Sequence, residues 1–370
     1  MFWNSRRVFL TGHTGFKGAW LSLWLEHLGA AVTGFSLAPP MHPSLFAEAA
    51  ITSGITSILG DIRSLAGLRE TMRHAEPEIL IHMAAQSLVR PSNADPAATY
   101  STNVLGTVNV LEAARACPSI RAIVVVSSDH GALDPYATSK ACVELVTDSY
   151  RASFFKRELF AEHRVAIAVA RCGNLIGGGD WAPGRLLPDA VRAISVGAPL
   201  RVRNPHATSP WQHVLEPLSG YLRLAQALVE DCIEKDGAWN FGPEPASVQS
   251  VESVVRSFTK RWNSKTRNKA HWSAEPGPHP GESHTPPLDC SRANDELSWS
   301  PTLSFADSVT MTADWYARRK AGENPRALCL QQIAGYSDRS MREPELFAQR
   351  ELKHIVQRAP GPPAAGSLRA

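Results

Sequence analysis

Along the first half of the chain, short runs of branched apolar residues alternate with longer stretches whose apolar side chains recur every three or four positions. The runs at 7–10, 31–35, 78–83 and 122–126 predict strands. Stretches 18–28 and 103–116 predict helices, the second closed by Pro118. Strands separated by helices pair in parallel through right-handed crossovers, so the expected fold is α/β, a doubly wound parallel sheet. Trp20 and Trp24 fall on one helical face and are expected in the core.

Past residue 175 the texture changes. Gly177-Gly178-Gly179-Asp180-Trp181 reads as a loop, helical patches follow at 186–196 and 214–230, and the connector 276–287 holds five prolines. Two units are therefore expected: 1–175, a dinucleotide-binding domain, and 176–336, a smaller mixed substrate domain interleaved with the first. The tail 337–370 is expected to hold one short helix at 344–356 and to end in disorder.

With 370 residues, 44% hydrophobic and 20% charged, the chain can build a large core. A net charge of +3 is too small for a nucleic-acid footprint, so no such partner is expected. No apolar run approaches the roughly 20 residues that span a bilayer, and the run after Arg7 stops at Thr11-Gly12, too short for a signal-peptide core. The six cysteines (117, 142, 172, 232, 290, 329) form no Cys-x-x-Cys pair. Neither a disulfide scaffold nor a metal site is expected, and a cytoplasmic location with reduced thiols follows.

Between the first strand and helix stands Thr11-Gly12-His13-Thr14-Gly15-Phe16-Lys17-Gly18. Gly12 allows a sharp turn off the strand, Gly15 a close approach to a pyrophosphate, and Gly18 close packing of the helix, whose N-terminus then holds the negative charge. This predicts a bound dinucleotide. The segment 34–40 lacks both the carboxylate that would hold a ribose hydroxyl and the cation that would hold a 2′-phosphate. NAD is the better fit. Asp61, in Gly60-Asp61-Ile62, is placed either against the adenine or as a helix cap before Leu65.

Tyr136 and Lys140 stand four residues apart, on one helix face. An ammonium beside a phenol favours the phenolate, which can then accept a hydroxyl proton near neutrality. This helix follows a strand ending in Ser127-Ser128-Asp129-His130. Hydroxyl, carboxylate, imidazole, phenol and ammonium thus meet where a parallel sheet presents its ligands. Together with the glycine loop they resemble a short-chain dehydrogenase/reductase site.

The chain resembles the extended short-chain dehydrogenase/reductases, and within them the CDP-glucose 4,6-dehydratase family, from about residue 2 to about residue 336. The resemblance is carried by TGHTGFKGAWLSLWL at 11–25, PPMHPSLF at 39–46, HMAAQSLVR at 82–90, YSTNVLGTVNVLEA at 100–113, GNLIGGGDW at 173–181, PWQHVLEPLSGY at 210–221 and LDCSRA at 288–293. It implies a nucleotide-sugar substrate and a redox-neutral loss of water, in which a hydride leaves C4 for NAD and returns at C6. It also implies a tightly held cofactor and a homo-oligomer. In that scheme Tyr136 takes the C4 hydroxyl proton, Ser128 holds the hydroxyl, Asp129 is the acid at C6, and Lys140 also holds the nicotinamide ribose. The cofactor side would comprise Gly12, Thr14, Gly15, Phe16, Lys17, Gly18, Asp61, Ile62, Ala84, Ala85 and Asn103 with Tyr136 and Lys140. The substrate side would comprise Gln86, Asn174, Arg185, Arg203, His213 and Glu282.

Three departures stand out. His130 occupies the place of the family's Lys, which would make an imidazole the C5 base. Ser128 and Tyr136 are eight residues apart where the family has a long insertion, and Ser209 replaces an Arg before Pro-Trp-Gln-His. A related epimerase or reductase, and a non-catalytic NAD-binding protein, therefore stay open as alternatives.

Overall fold

The computed structural model describes residues 2–128, 134–230, 232–267, 269–275 and 287–358. The chain opens with β1 (Arg7–Thr11), α1 (Phe16–His27) and β2 (Ala31–Ser36), followed by β3 (Thr56–Leu59), α2 (Leu65–Ala75) and β4 (Ile79–His82). After these come α3 (Gly106–Arg115), β5 (Ala122–Ser128), α4 (Pro135–Phe154) and β6 (Ala166–Cys172). Next are α5 (Leu186–Ser195), α6 (Leu215–Glu230) and β7 (Gly237–Asn240), and the last helices used below are α7 (Val251–Lys265), α8 (Phe305–Lys320) and α9 (Pro325–Arg358).

The main sheet has seven strands in the order β7-β6-β5-β4-β1-β2-β3, every neighbouring pair parallel. Successive residues of one strand feed opposite faces. Val8, Leu10, Ile81, Val124 and Val126 enter one buried cluster, while Phe9, Leu80, Ile123, Val125 and Ile167 enter the other. Both faces are thus covered, which is why these strands read as unbroken apolar runs. The order reverses between β1 and β4, so a crevice opens at their carboxyl ends.

The expected α/β sheet is present, with three refinements. The edge strand β3 was invisible in the sequence because three of its four residues are exposed and no apolar run marks it. Stretch 103–116 begins as a wide π-type turn, Ser101–Leu105, before α3. The short helix expected at 344–356 is the end of α9, which starts at Pro325 where Asn324 caps it by accepting the Ala327 N–H at 3.1 Å. Leu328, Ile333 and Tyr336 bury its first turns.

Residues beyond 175 are stitched into the same core. β7 extends the main sheet, Trp20 donates to the Gly178 carbonyl at 2.9 Å, and Trp20 and Trp24 are buried as expected. Short strand pairs, 175–176 with 212–213, 208–210 with 248–250 and 200–202 with 272–274, lie outside the main sheet. Among the described residues no helix is long and apolar enough to cross a membrane.

Candidate active site

The glycine loop takes the shape its spacing requires. Gly12 has φ +80°, and a Cβ there would sit 2.8 Å from the Ala84 nitrogen. A Cβ on Gly18 would lie 2.0 Å from the Gly12 carbonyl oxygen, so α1 starts hard against the turn. Gly15 differs: a Cβ would meet the Gly12 oxygen alone, at 3.4 Å, so its face is open. No side chain caps the N-terminus of α1 at Gly15. Its first N–H groups and the positive end of the helix dipole therefore face the crevice as an anion site. Thr14 ties this loop to the end of β2, donating to the Leu37 carbonyl at 2.9 Å.

Buried polar contacts fix the crevice floor. Thr11 Oγ1 accepts the Met83 and Ala84 N–H groups at 3.0 and 3.1 Å and lies 2.7 Å from His82 Nδ1. His82 Nε2 lies 2.9 Å from Thr107 Oγ1, which donates to the Asn103 carbonyl. This chain is satisfied by a neutral imidazole protonated at Nε2. Burial, with Lys140 adding to it, holds His82 down to about 3 and so keeps it neutral. The Asn103 amide accepts from the Gln86 N–H at 2.8 Å and donates to the Gln86 carbonyl and to Ser139 Oγ. Ser139 in turn donates to the Tyr136 carbonyl. Ala84, Ala85 and the start of α4 are thereby held in one frame.

Helix α4 starts at Pro135 because Asp134 accepts the Ala137 N–H at 2.9 Å and proline suits the first helical position. Tyr136 is half-buried, and one turn on Lys140 is 6% exposed, donating to the Val126 carbonyl at 2.9 Å. Burial first, then the charge of Lys17, pulls the Lys140 ammonium down to about 8. Above that pH the proton that favours a phenolate is lost. If the pair carries the chemistry, kcat is expected to fall as pH rises through about 8, which a pH–rate profile with saturating substrate checks. Ser128 ends β5, half-buried, opposite Cys172 in register.

Lys17 does not face out of the loop: its ammonium donates to Cys172 Sγ at 3.2 Å and to Tyr221 Oη at 3.4 Å. Phe16 lies against the Gly177 backbone. Arg185 donates to the buried Asp180 carboxylate at 2.9 Å, and its guanidinium is influenced by the Tyr136 phenol. Asn174 is exposed and donates to Ser209 Oγ at 3.1 Å; Arg203 is half-buried.

Other expected residues are placed differently. Asp61 neither caps a helix nor offers a bare carboxylate: Arg63 holds both its oxygens, and Ser64 caps α2. Ile62 is buried against Gly106. The Gln86 amide is consumed by its own loop, bonding Leu88 and Thr99. His213, expected on the substrate side, is 0% exposed with its ring edge-on to Trp20, and burial holds it down to about 3. Its imidazole lies in the core, where Nδ1 accepts the Leu215 N–H at 3.4 Å. Asp129, His130 and Glu282 lie outside the described residues.

The model of the family described as GDP-mannose 4,6 dehydratase matches residues 9–312. A curated relative, the CDP-glucose 4,6-dehydratase of Salmonella typhimurium, is 40% identical over 358 residues, covering 92% of this chain and 99% of its own. The chain belongs to this dehydratase family. The dTDP-glucose 4,6-dehydratase of Streptomyces antibioticus is 26% identical, over 86% of this chain and 94% of its own. The UDP-glucose 4-epimerase of Stenotrophomonas maltophila, solved with bound NAD, shares the fold at TM-score 0.71 and 19% identity, covering 86% of this chain and all of that one. So does the dTDP-glucose 4,6-dehydratase of Streptomyces venezuelae with NAD, at TM-score 0.65 and 21% identity, covering 86% and 99%.

Within this dehydratase frame, sequence reading passed over three groups that shape the site: Cys172, Tyr221 and the Thr11–His82–Thr107 chain. Cys172 sits one residue before a stretch that carries the resemblance, and Tyr221 closes another. Their spacing from Lys140 in sequence gave no signal that the sheet unites them.

Proposed function

We propose that the chain is an NAD-dependent nucleotide-sugar 4,6-dehydratase that converts CDP-glucose to CDP-4-keto-6-deoxyglucose and water. The observation that carries this reading is the convergence of Tyr136, Lys140 and Ser128 with an uncapped glycine-loop helix in one crevice. The likeness to the Salmonella enzyme supports the choice of sugar nucleotide.

The residues present fit NAD. Open Gly15 and the uncapped N-terminus of α1 suit a pyrophosphate; the Ala84 backbone lies against Gly12, and Asn103 holds the Gln86 backbone two residues on, which supports Ala84, Ala85 and Asn103 as cofactor-side residues. Bound there, NAD supplies the reversible redox step at the sugar. Tyr136, as a phenolate kept so by Lys140, takes the proton of the C4 hydroxyl while Ser128 orients that hydroxyl. The C4 ketone that results acidifies C5–H. His130, neutral, takes that proton, and Asp129 protonates the departing C6 hydroxyl. Asn174, Arg185 and Arg203 are proposed to hold the nucleotide sugar, the Arg185 guanidinium being fixed by Asp180 beforehand. Glu282 is proposed for the same side, and 176–336 for the substrate domain. His213 takes no part. Apolar Leu105 and Leu145, exposed near α3 and on α4, support the expected homo-oligomer, and a cytoplasmic location is proposed with it.

The test is incubation with CDP-glucose and NAD, followed by mass measurement. A product lighter by one water supports the dehydratase. An isomer of unchanged mass supports an epimerase, and binding without turnover supports a non-catalytic protein.

The base at C5 has its own test. Because a neutral imidazole is required, the dehydration rate should rise with pH through an apparent pKa near the usual value of about 6.5. His130→Ala should lose exchange of C5–H with solvent deuterium, read by NMR, together with dehydration. An unchanged dehydration rate would remove His130 from the mechanism.

A further inference from the structure

Lys17 belongs to the glycine loop by sequence but not by the direction of its side chain. From the first turn of α1 its ammonium reaches Cys172 Sγ at 3.2 Å and Tyr221 Oη at 3.4 Å, with Nζ 5.6 Å from the centre of the Tyr221 ring. Cys172 ends β6 as the register partner of Ser128, and two residues before Ser128 the Val126 carbonyl accepts a hydrogen bond from the Lys140 ammonium. Two ammonium groups thus share the carboxyl ends of β5 and β6. Like charges crowded into a half-buried crevice repel, and each shifts the proton affinity of its neighbours.

The groups facing this pair come from every side. From β4, His82 is held neutral by burial. On α4, Glu144 is bound to Arg171 through both oxygens. Arg185 adds a guanidinium on the Tyr136 side. Burial pushes the Tyr221 phenol well up, so it meets Lys17 as a neutral acceptor. Among the described residues the two carboxylates here are already committed, Glu144 to Arg171 and Asp180 to Arg185, which leaves the charges of Lys17 and Lys140 without an acidic partner of their own.

We propose that Lys17 is a positioning residue, its ammonium anchored by Cys172 and Tyr221 so that its charge sets the pH window in which Tyr136 and Lys140 exchange a proton. This rests on Tyr136 and Lys140 being the proton-transfer pair. A fixed positive charge favours the Tyr136 phenolate and also favours loss of a proton from Lys140. In the first half-reaction, oxidation at C4, which does not use His130, the acid limb of the rate profile reports the first and the alkaline limb the second, so Lys17 moves both limbs down together.

The experiment compares the full chain with Lys17→Met and Lys17→Arg. The pH–rate profile is that of NADH formation in the first turnover, read by rapid-mixing absorbance at saturating NAD and CDP-glucose. A second readout needs no turnover: ultraviolet titration of the tyrosinate band, taken as the difference from Tyr136→Phe, which isolates Tyr136. Lys17→Met should move both limbs and the Tyr136 midpoint upward by about one pH unit. Lys17→Arg should keep all three at their original positions. If Lys17→Met does not fold, Tyr221→Phe, which loosens the anchor, should move the midpoint in the same direction. Limbs and midpoint that stay in place in Lys17→Met or Tyr221→Phe would overturn the proposal. A profile that survives Tyr136→Phe would instead overturn the proton-transfer assignment on which it rests.

Discussion

Tyr136→Phe is expected to lower kcat by about 10²- to 10⁴-fold while leaving the fold intact, the usual contribution of a positioned acid or base. The phenol oxygen is the part of the side chain that the proposed chemistry uses. What anchors the residue is the backbone of α4, through the Asp134 cap and the Ser139 bond to the Tyr136 carbonyl. Loss of the hydroxyl therefore removes the proton acceptor and spares the frame. Lys140→Met gives a contrasting outcome. It removes the charge that favours the phenolate, and it also leaves the buried Val126 carbonyl without its donor. An unsatisfied buried acceptor costs about 1–3 kcal/mol, so this variant should lose stability as well as rate. Steady-state kinetics with a denaturation midpoint separates the two. A Tyr136→Phe enzyme retaining more than about a tenth of the rate would put the base elsewhere.

Much of this site could be read before any coordinates, for a physical reason. Strands covered on both faces are nearly all apolar, so β1, β4, β5 and the loops at their carboxyl ends announce themselves in one dimension. The glycine loop was legible because steric exclusion at Gly12 and Gly18 leaves no other residue type that fits. The Tyr136–Lys140 pair was legible because one helical turn unites it. Contacts made across the sheet were not. Lys17 and Cys172 are 155 positions apart, and only the packing of α1 against the sheet brings them within hydrogen-bonding distance. His213 failed for the complementary reason. A polar residue inside a resembling stretch looks functional, yet packing against Trp20 decides where its ring goes. Asp61 likewise looked available until Arg63, two residues on, closed over it.

The glycines of the loop should separate folding from cofactor binding. At Gly18 an added methyl would stand 2.0 Å from the Gly12 oxygen and 2.8 Å from the His13 Cα, both backbone atoms of a turn that cannot yield without moving β1. Overpacking of this kind costs about 1–3 kcal/mol and occasionally more. Gly18→Ala is therefore placed at the upper end and should lower the unfolding midpoint clearly. At Gly15 φ is −77°, which any residue adopts, and the added atom meets only one neighbour at ordinary distance. Gly15→Val should thus fold as well as the parent chain, while its branched side chain covers the free N–H groups of α1 and holds a pyrophosphate away from them. Hydrogen bonds to a charged group contribute about 1.5–3 kcal/mol, so the Kd for NAD should rise by about 10- to 100-fold. Calorimetric titration with NAD, paired with thermal unfolding, checks both halves. Undiminished NAD affinity in Gly15→Val would reduce the loop to a tight turn, whereas weak binding in a fully folded variant would place the pyrophosphate on the N-terminus of α1.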